Sequence, residues 1–132
     1  MSGTSMDGID MSIIKTNGEE IINNSKNFYY KYSKSFKTKL HNFVNKFDIN
    51  ELNSKSYNKL NDQFAKVTNR ATSDLLYNNK IDLIGFHGQT IYHNPSISKS
   101  IQIGNPNLLF NQFKVPIVYD FREKDLVNNG EG

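Results

Sequence analysis

The sequence contains no cysteine. Disulfide scaffolds, thiolate zinc sites, iron–sulfur clusters and cysteine nucleophiles are thereby excluded. A reducing compartment is compatible with this absence without being required by it. No apolar run approaches the ~18–20 residues of a membrane span. The opening residues, Met1-Ser2-Gly3-Thr4-Ser5, lack the basic start and apolar stretch of a signal peptide, so a cytoplasmic location is the simplest expectation. Arginine is scarce: Arg70 and Arg122 stand alone in a chain otherwise basic through lysine. Lysine, asparagine and isoleucine, all abundant, share A/T-rich codons, so part of the basicity reflects codon usage. Sixteen basic against thirteen acidic residues leave +3, too little to indicate a nucleic-acid partner by itself.

A length of 132 residues fits one domain or one lobe of a larger protein. With 36% hydrophobic and 22% charged residues, the chain lies far from the composition that stays disordered. Gly8 to Ile14 and Glu19 to Tyr32 read as two antiparallel strands joined at Asn17-Gly18, a strong hairpin signal. Phe36, Leu40, Phe43, Val44 and Phe47 share one helical face, which Asp48-Ile49-Asn50 ends. Leu60, Phe64, Val67, Ala71 and Leu75 repeat that spacing over a longer helix. It stops at Asn78-Asn79-Lys80, with Asn placed for a left-handed cap. Ile81 to Phe86 reads as a buried strand, and Thr90-Ile91-Tyr92 and Ile101-Gln102-Ile103 as short ones. Asn105 to Phe113 suits a helix with Pro106 in its first turn, and Val115 to Tyr119 a last strand. Strands, helices, then strands again predict an α/β fold with a mixed sheet and flanking helices.

Three stretches carry chemistry. Ser2-Gly3-Thr4-Ser5-Met6-Asp7-Gly8-Ile9-Asp10 brackets two hydroxyls and a carboxylate between glycines. Glycines let backbone N–H groups close on an anion, and Thr4 and Ser5 add donors for phosphate oxygens. Asp7 and Asp10 are candidate Mg²⁺ ligands, since that ion prefers oxygen. The plainer alternative is a polar turn ahead of a strand. The Gly-Lys-Ser/Thr ending of a Walker A loop is missing. Gly85-Phe86-His87-Gly88-Gln89-Thr90-Ile91-Tyr92-His93-Asn94-Pro95 follows a strand, where α/β proteins hold ligands. His87 and Gln89 each donate and accept, which suits sugar hydroxyls. A six-residue step from His87 to His93, with no third ligand in view, argues weakly for a metal. The plainer reading makes His93 a turn residue. Asp120-Phe121-Arg122-Glu123-Lys124-Asp125 places an arginine that lysine has not replaced between carboxylates. It reads equally as a surface ion pair of little energetic weight.

One stretch points to another class of function. From Lys26 to Lys46 there are six lysines and no acidic residue, interleaved with Phe28, Tyr29, Tyr30, Tyr32, Phe36, Phe43 and Phe47. Basic residues with aromatics mark single-stranded nucleic-acid binding. Alternatively, the phenylalanines are the helix stripe already assigned to the core and the lysines its solvated face.

The motifs in order resemble the anhydro-N-acetylmuramic acid kinase family. The likeness rests on Met1 to Asp10, Gly85 to Pro95, Gln102-Ile103-Gly104 and Asp120 to Asp125. It covers nearly the whole chain but only about the first third of the family's protein. It implies a partial ribonuclease-H-like lobe of the sugar-kinase, Hsp70 and actin superfamily, with the C-terminal lobe absent from residues 1–132. On this resemblance, Gly3, Thr4, Ser5, Met6, Asp7, Gly8, Ile9 and Asp10 form the first phosphate loop for ATP and Mg²⁺. His87, Gly88, Gln89, Thr90, Arg122 and Asp125 line the sugar side. The family opens the 1,6-anhydro bridge of its sugar with water and phosphorylates the freed 6-oxygen, giving N-acetylmuramate 6-phosphate in cell-wall recycling. Its general base lies beyond Gly132, as do the adenosine pocket and the second phosphate loop. A homodimer is implied as well, with neither membrane nor nucleic acid as partner.

Two departures from the family pattern shape the expectations. The chain opens at the phosphate loop without the apolar strand that normally precedes it. It ends Asn129-Gly130-Glu131-Gly132 where the family usually has Gly-Gly-Gln-Gly, then Ala-Pro-Leu. The expectation is therefore a fragment without kinase activity of its own. A nucleic-acid-binding module and a non-functional remnant are the alternatives.

Overall fold

Strands β1 (Gly8–Thr16) and β2 (Ile21–Lys31) form the expected antiparallel hairpin. The structure is a computed structural model; it describes residues 5–77, 79–128 and 130, with the backbone alone at 24–26. The hairpin tip is wider than a two-residue Asn-Gly turn, because Thr16 pairs with Ile21 and leaves four residues in the loop. The Asn17 side chain accepts the N–H groups of Glu19 (3.0 Å) and Glu20 (2.9 Å) and so closes that loop itself.

Helix α1 (Lys34–Val44) starts where the Ser33 hydroxyl accepts the Phe36 N–H at 3.2 Å. A 3-10 turn at Ile49–Glu51, capped by the Asp48 carboxylate, follows the predicted break. Helix α2 (Lys55–Leu75) is capped in the same way by Ser54. It ends with Leu76 at the cap in a right-handed-type conformation (φ −82°), not on a left-handed Asn; Asn78 lies outside the described residues. The buried face of α2 carries Tyr57, Leu60, Phe64, Ala65, Thr68, Ala71, Thr72 and Leu75. Against it pack Leu40 of α1, Ile9 of the hairpin and the apolar side chains of the second half.

The second half supplies β3 (Ile84–Gly85), β4 (Gln89–Asn94), β5 (Lys99–Ile103), α3 (Pro106–Phe113), β6 (Ile117–Val118) and α4 (Glu123–Val127). Strands β4 and β5 pair antiparallel; β3 and β6 pair parallel. Parallel and antiparallel pairs are both present, as expected of an α/β chain. Among the described residues, however, they form three separate two-stranded sheets rather than one. The six-residue strand expected at Ile81 to Phe86 shrinks to two residues. Its partner β6 follows Pro116, which has no N–H to give, and ends at Val118, two residues before Asp120, whose backbone turns left-handed (φ 58°). Ile84 N–H still reaches Pro116 O (3.0 Å) and Phe86 N–H reaches Val118 O (2.7 Å). Phe86 is buried, whereas Leu83, Val118, Tyr119 and Phe121 remain exposed. No helix among the described residues is long and apolar enough to cross a membrane.

Candidate functional site

Of the N-terminal loop, Gly3 and Thr4 lie outside the described residues. Met6 adopts a left-handed backbone (φ 51°) with its side chain buried, and the Asp7 carbonyl accepts the Tyr32 N–H at 2.9 Å. The Asp7 carboxylate is held by Lys37 Nζ of α1. That hydrogen bond, with the charge of Lys37, a hydrogen bond from Ser5 and the charge of His41, brings the Asp7 pKa below its ordinary value despite some loss of water. Ser5 and Asp10 are exposed, while Gly8 and Ile9 are buried. No group of three or more acidic or histidine side chains able to hold a metal exists among the described residues. Of the two candidate Mg²⁺ ligands, Asp7 has its carboxylate on Lys37 and Asp10 is exposed.

The four residues from His87 to Thr90 do not act as one unit. His87 Nε2 accepts from Arg122 Nε at 3.3 Å, and its Nδ1 lies 3.1 Å from Gly88 O. Because an arginine can only donate, the His87 tautomer that fits this contact carries its proton on Nδ1, toward Gly88 O. Gln89, by contrast, is wholly buried at the start of β4, and its amide donates to Thr90 O (3.2 Å). The Thr90 hydroxyl accepts from Gln102 Nε2 (3.4 Å) across the β4–β5 pair. Gln89 and Thr90 hold the hairpin together, whereas His87 and Gly88 face a cleft. His93 is exposed, and Asn94 rather than His93 stands at the cap of the turn beginning with Pro95.

The cleft measures about 310 Å³ and draws its walls from four parts of the chain. Tyr57 and Asn61 come from α2, Gly104 and Asn105 from the start of α3, and Tyr119 and Asp120 from the end of β6. Asn61 Oδ1 accepts the Gly104 N–H at 2.7 Å and pins the loop that opens α3. Gly104 has φ +127°, and a Cβ there would lie 2.3 Å from the Phe86 ring, so only glycine fits. Asp120 lines the cleft and is exposed. Loss of water to the cleft walls raises its carboxyl pKa, and repulsion from Glu123 adds to this. Burial and the Asp120 charge likewise raise the Tyr57 pKa.

Arg122 reaches the cleft through His87. Asp125 is exposed on α4, and its carboxylate lies against Gly130. Sequence reasoning missed Tyr57, Asn61 and Tyr119, which carry no local motif. It missed the prominence of Asp120 because its left-handed turn is invisible without coordinates. Of the aromatics in the lysine-rich stretch, Tyr32 is buried edge-on to Phe36 and Phe64, while Phe43 and Phe47 pack on each other. Tyr29 alone of that set is exposed among the large hydrophobic residues described.

These features define an α/β polypeptide with a small polar cleft at the end of a short parallel strand pair. The family model for anhydro-N-acetylmuramic acid kinase matches residues 1–132. Curated relatives bearing that name are 39% identical over 138 residues in Pelagibacter ubique (strain HTCC1062) and 35% over 142 residues in Brucella canis. A third, from Ruegeria sp. (strain TM1040), is 31% identical over 133 residues. Each match covers 100% of this chain but 36%, 38% and 33% of the respective relative. The chain belongs to the anhydro-N-acetylmuramic acid kinase family, and it spans little more than a third of the length of these relatives.

Proposed function

We propose that the chain is part of the N-terminal lobe of an ATP-dependent kinase. That kinase opens the anhydro bridge of 1,6-anhydro-N-acetylmuramic acid with water and transfers the γ-phosphoryl group to O6. The product is N-acetylmuramate 6-phosphate, and the setting is peptidoglycan recycling in the cytoplasm. The observation that supports this most is the cleft, which His87, Gly104 and Asp120, drawn from three family-like motifs, line together. In this reading the loop from Gly3 to Asp10 takes the nucleotide phosphates, and the cleft takes the sugar. His87 and Gly88 face the sugar directly, Arg122 fixes His87, and Gln89 and Thr90 hold the strand that carries them. Asp125 belongs to the sugar side only through the helix that follows Arg122. Phosphoryl transfer demands positioning and charge neutralisation more than covalent chemistry. Mg²⁺ arriving with the nucleotide would take Asp7 or Asp10 as ligands, directly or through water.

Because the chain spans little more than a third of its relatives, the reaction belongs to a protein of their length, with a homodimer as its assembly. The 132 residues alone are expected to release no ADP from ATP and the anhydro sugar in a coupled assay; sustained turnover by this chain would overturn that. The sugar assignment is tested by titrating the ¹⁵N-labelled chain with 1,6-anhydro-N-acetylmuramic acid. Shifts should gather at His87, Gly88, Gly104 and Asn105. Shifts confined to the Lys26 to Lys46 stretch, or produced there by single-stranded oligonucleotide, would favour the nucleic-acid reading instead.

A further inference from the structure

We propose that Asp120 is the specificity-determining carboxylate of the cleft, accepting hydrogen bonds from the hydroxyl and amide N–H groups of a sugar. The inference rests on the sugar-binding reading above and names the residue that enforces it. Three observations converge. First, Asp120 lines the cleft, whereas Asp125, the other aspartate of the same motif, lies on α4 against Gly130. Second, the lining includes one carboxylate and no lysine or arginine. Phosphate groups are therefore disfavoured there, and a ligand rich in donors is favoured, because an ionised carboxylate only accepts. The ligand's own lactyl carboxylate must accordingly point away from Asp120. Third, Asp120 adopts φ 58°, a conformation that glycine reaches without strain. Aspartate at such a position gives up stability that glycine would keep, and strain of this kind gathers at ligand-binding positions. Tyr57 and Tyr119 add flat apolar faces suited to the C–H side of a sugar ring.

Two substitutions separate function from scaffolding. Asp120→Asn keeps the size and the left-handed tolerance and removes only the charge. Asp120→Gly removes the strain together with the side chain. The probes are 1,6-anhydro-N-acetylmuramic acid, N-acetylmuramic acid, N-acetylglucosamine and glucose, titrated by NMR against the 132-residue chain. Loss of a charge-assisted pair should weaken the preferred sugar about tenfold or more in both variants. Asp82→Asn, a charge-matched change at an exposed site off the cleft, should leave affinity within about twofold. Asp120→Gly should also raise the thermal midpoint by a few degrees, so that weaker binding in this variant is not a consequence of a weaker fold.

Unchanged affinity in Asp120→Asn overturns the proposal while leaving the sugar reading intact, as does loss in Asp125→Asn instead. Binding of glucose or N-acetylglucosamine in preference to the muramic sugars, abolished by Asp120→Asn, upholds the carboxylate's role and overturns the substrate assignment. No binding of any sugar overturns both.

Discussion

Gly104 and Gly18 offer a matched pair of perturbations. Both have positive φ, +127° and +100°, but their surroundings differ. A Cβ on Gly18 meets nothing within 4 Å, so Gly18→Ala bears only backbone strain, about 1 kcal/mol. At Gly104 the added carbon would lie 2.3 Å and 2.9 Å from Phe86 ring atoms and 3.0 Å from Phe64. Phe64 is fully buried, and the two rings sit 6.4 Å apart, so neither has room to yield. Overpacking of this kind adds about 1–3 kcal/mol to a backbone strain of about 1 kcal/mol, giving about 2–4 kcal/mol for Gly104→Ala. The assay is urea unfolding followed by tyrosine fluorescence, with both variants extrapolated to water. With an m-value of about 2 kcal/mol/M, the Gly104 variant should lose roughly 1–2 M of midpoint and the Gly18 variant about 0.5 M. The reasoning fails if the two midpoints shift alike, since φ alone would then set the cost and the Phe86 contact would carry none of it.

Leu40→Ala removes the one fully buried side chain of α1 and should cost about 2–5 kcal/mol in the same assay; a loss below 1 kcal/mol would mean that α1 is not docked on α2. Asn61→Ala strips the Gly104 N–H of its acceptor and should cost about 1–3 kcal/mol, with amide shifts of Gly104 and Asn105 in NMR; unchanged shifts would show that the loop stands without it. Asp7 and Asp120 should give acid limbs of opposite sign. The Asp7 pKa is lowered in the fold, so its contribution is full above the ordinary value near 3.8 and fades as pH falls through the lowered one; Lys37→Met should flatten that limb between pH 2 and 5. The Asp120 pKa is raised, so its contribution is present below 3.8 and is lost as pH rises through the raised value; Asp120→Asn should gain stability at neutral pH relative to the parent. Stability curves against pH that keep their shape in both variants would refute the two assignments.

Much of the fold was legible because it follows from local rules. The hairpin, both long helices, the β4–β5 pair and the Pro106 start of α3 each carry a periodicity or a cap in the sequence. The losses occur where backbone geometry overrides composition. Ile81 to Phe86 is apolar enough for a full strand, yet strand length depends on a partner, and β6 lies between Pro116 and the left-handed Asp120. The Asn17-Gly18 pair marks the turn correctly but not its size, because the Asn17 side chain can cap two N–H groups and hold a longer loop closed. At the site, His87 to Thr90 reads as one polar tetrapeptide. The strand begins only at Gln89, whose side chain enters the core, while His87 lies in the loop before it, next to Gly88 with its positive φ (74°), and faces the cleft. Asn61 lies 43 residues from the amide it holds, a pairing that only tertiary packing brings about.

The electrostatics of the two ends support a division of labour on the proposed reading. Asp7, beside the N-terminal loop, has Lys37 and His41 as its charged neighbours, and their influence favours its ionised form. Asp120, at the cleft, has Glu123 as its resolved charged neighbour, and that influence opposes ionisation. Triphosphate carries several negative charges and gains from the first environment while losing in the second. A ring of hydroxyls gains from an acceptor-only carboxylate and has little to gain from lysine. On that reading, the cationic neighbour of the loop and the anionic neighbour of the cleft would separate phosphate from sugar before any contact is made. Asp120→Lys tests this in one step. It should weaken binding of the anhydro sugar and draw inorganic phosphate or ATP to the loop around Gly104, where the parent chain is expected to bind neither. If phosphate instead finds that cleft in the parent, with Asp120 in place, the assignment of sugar and phosphate to the two ends is wrong.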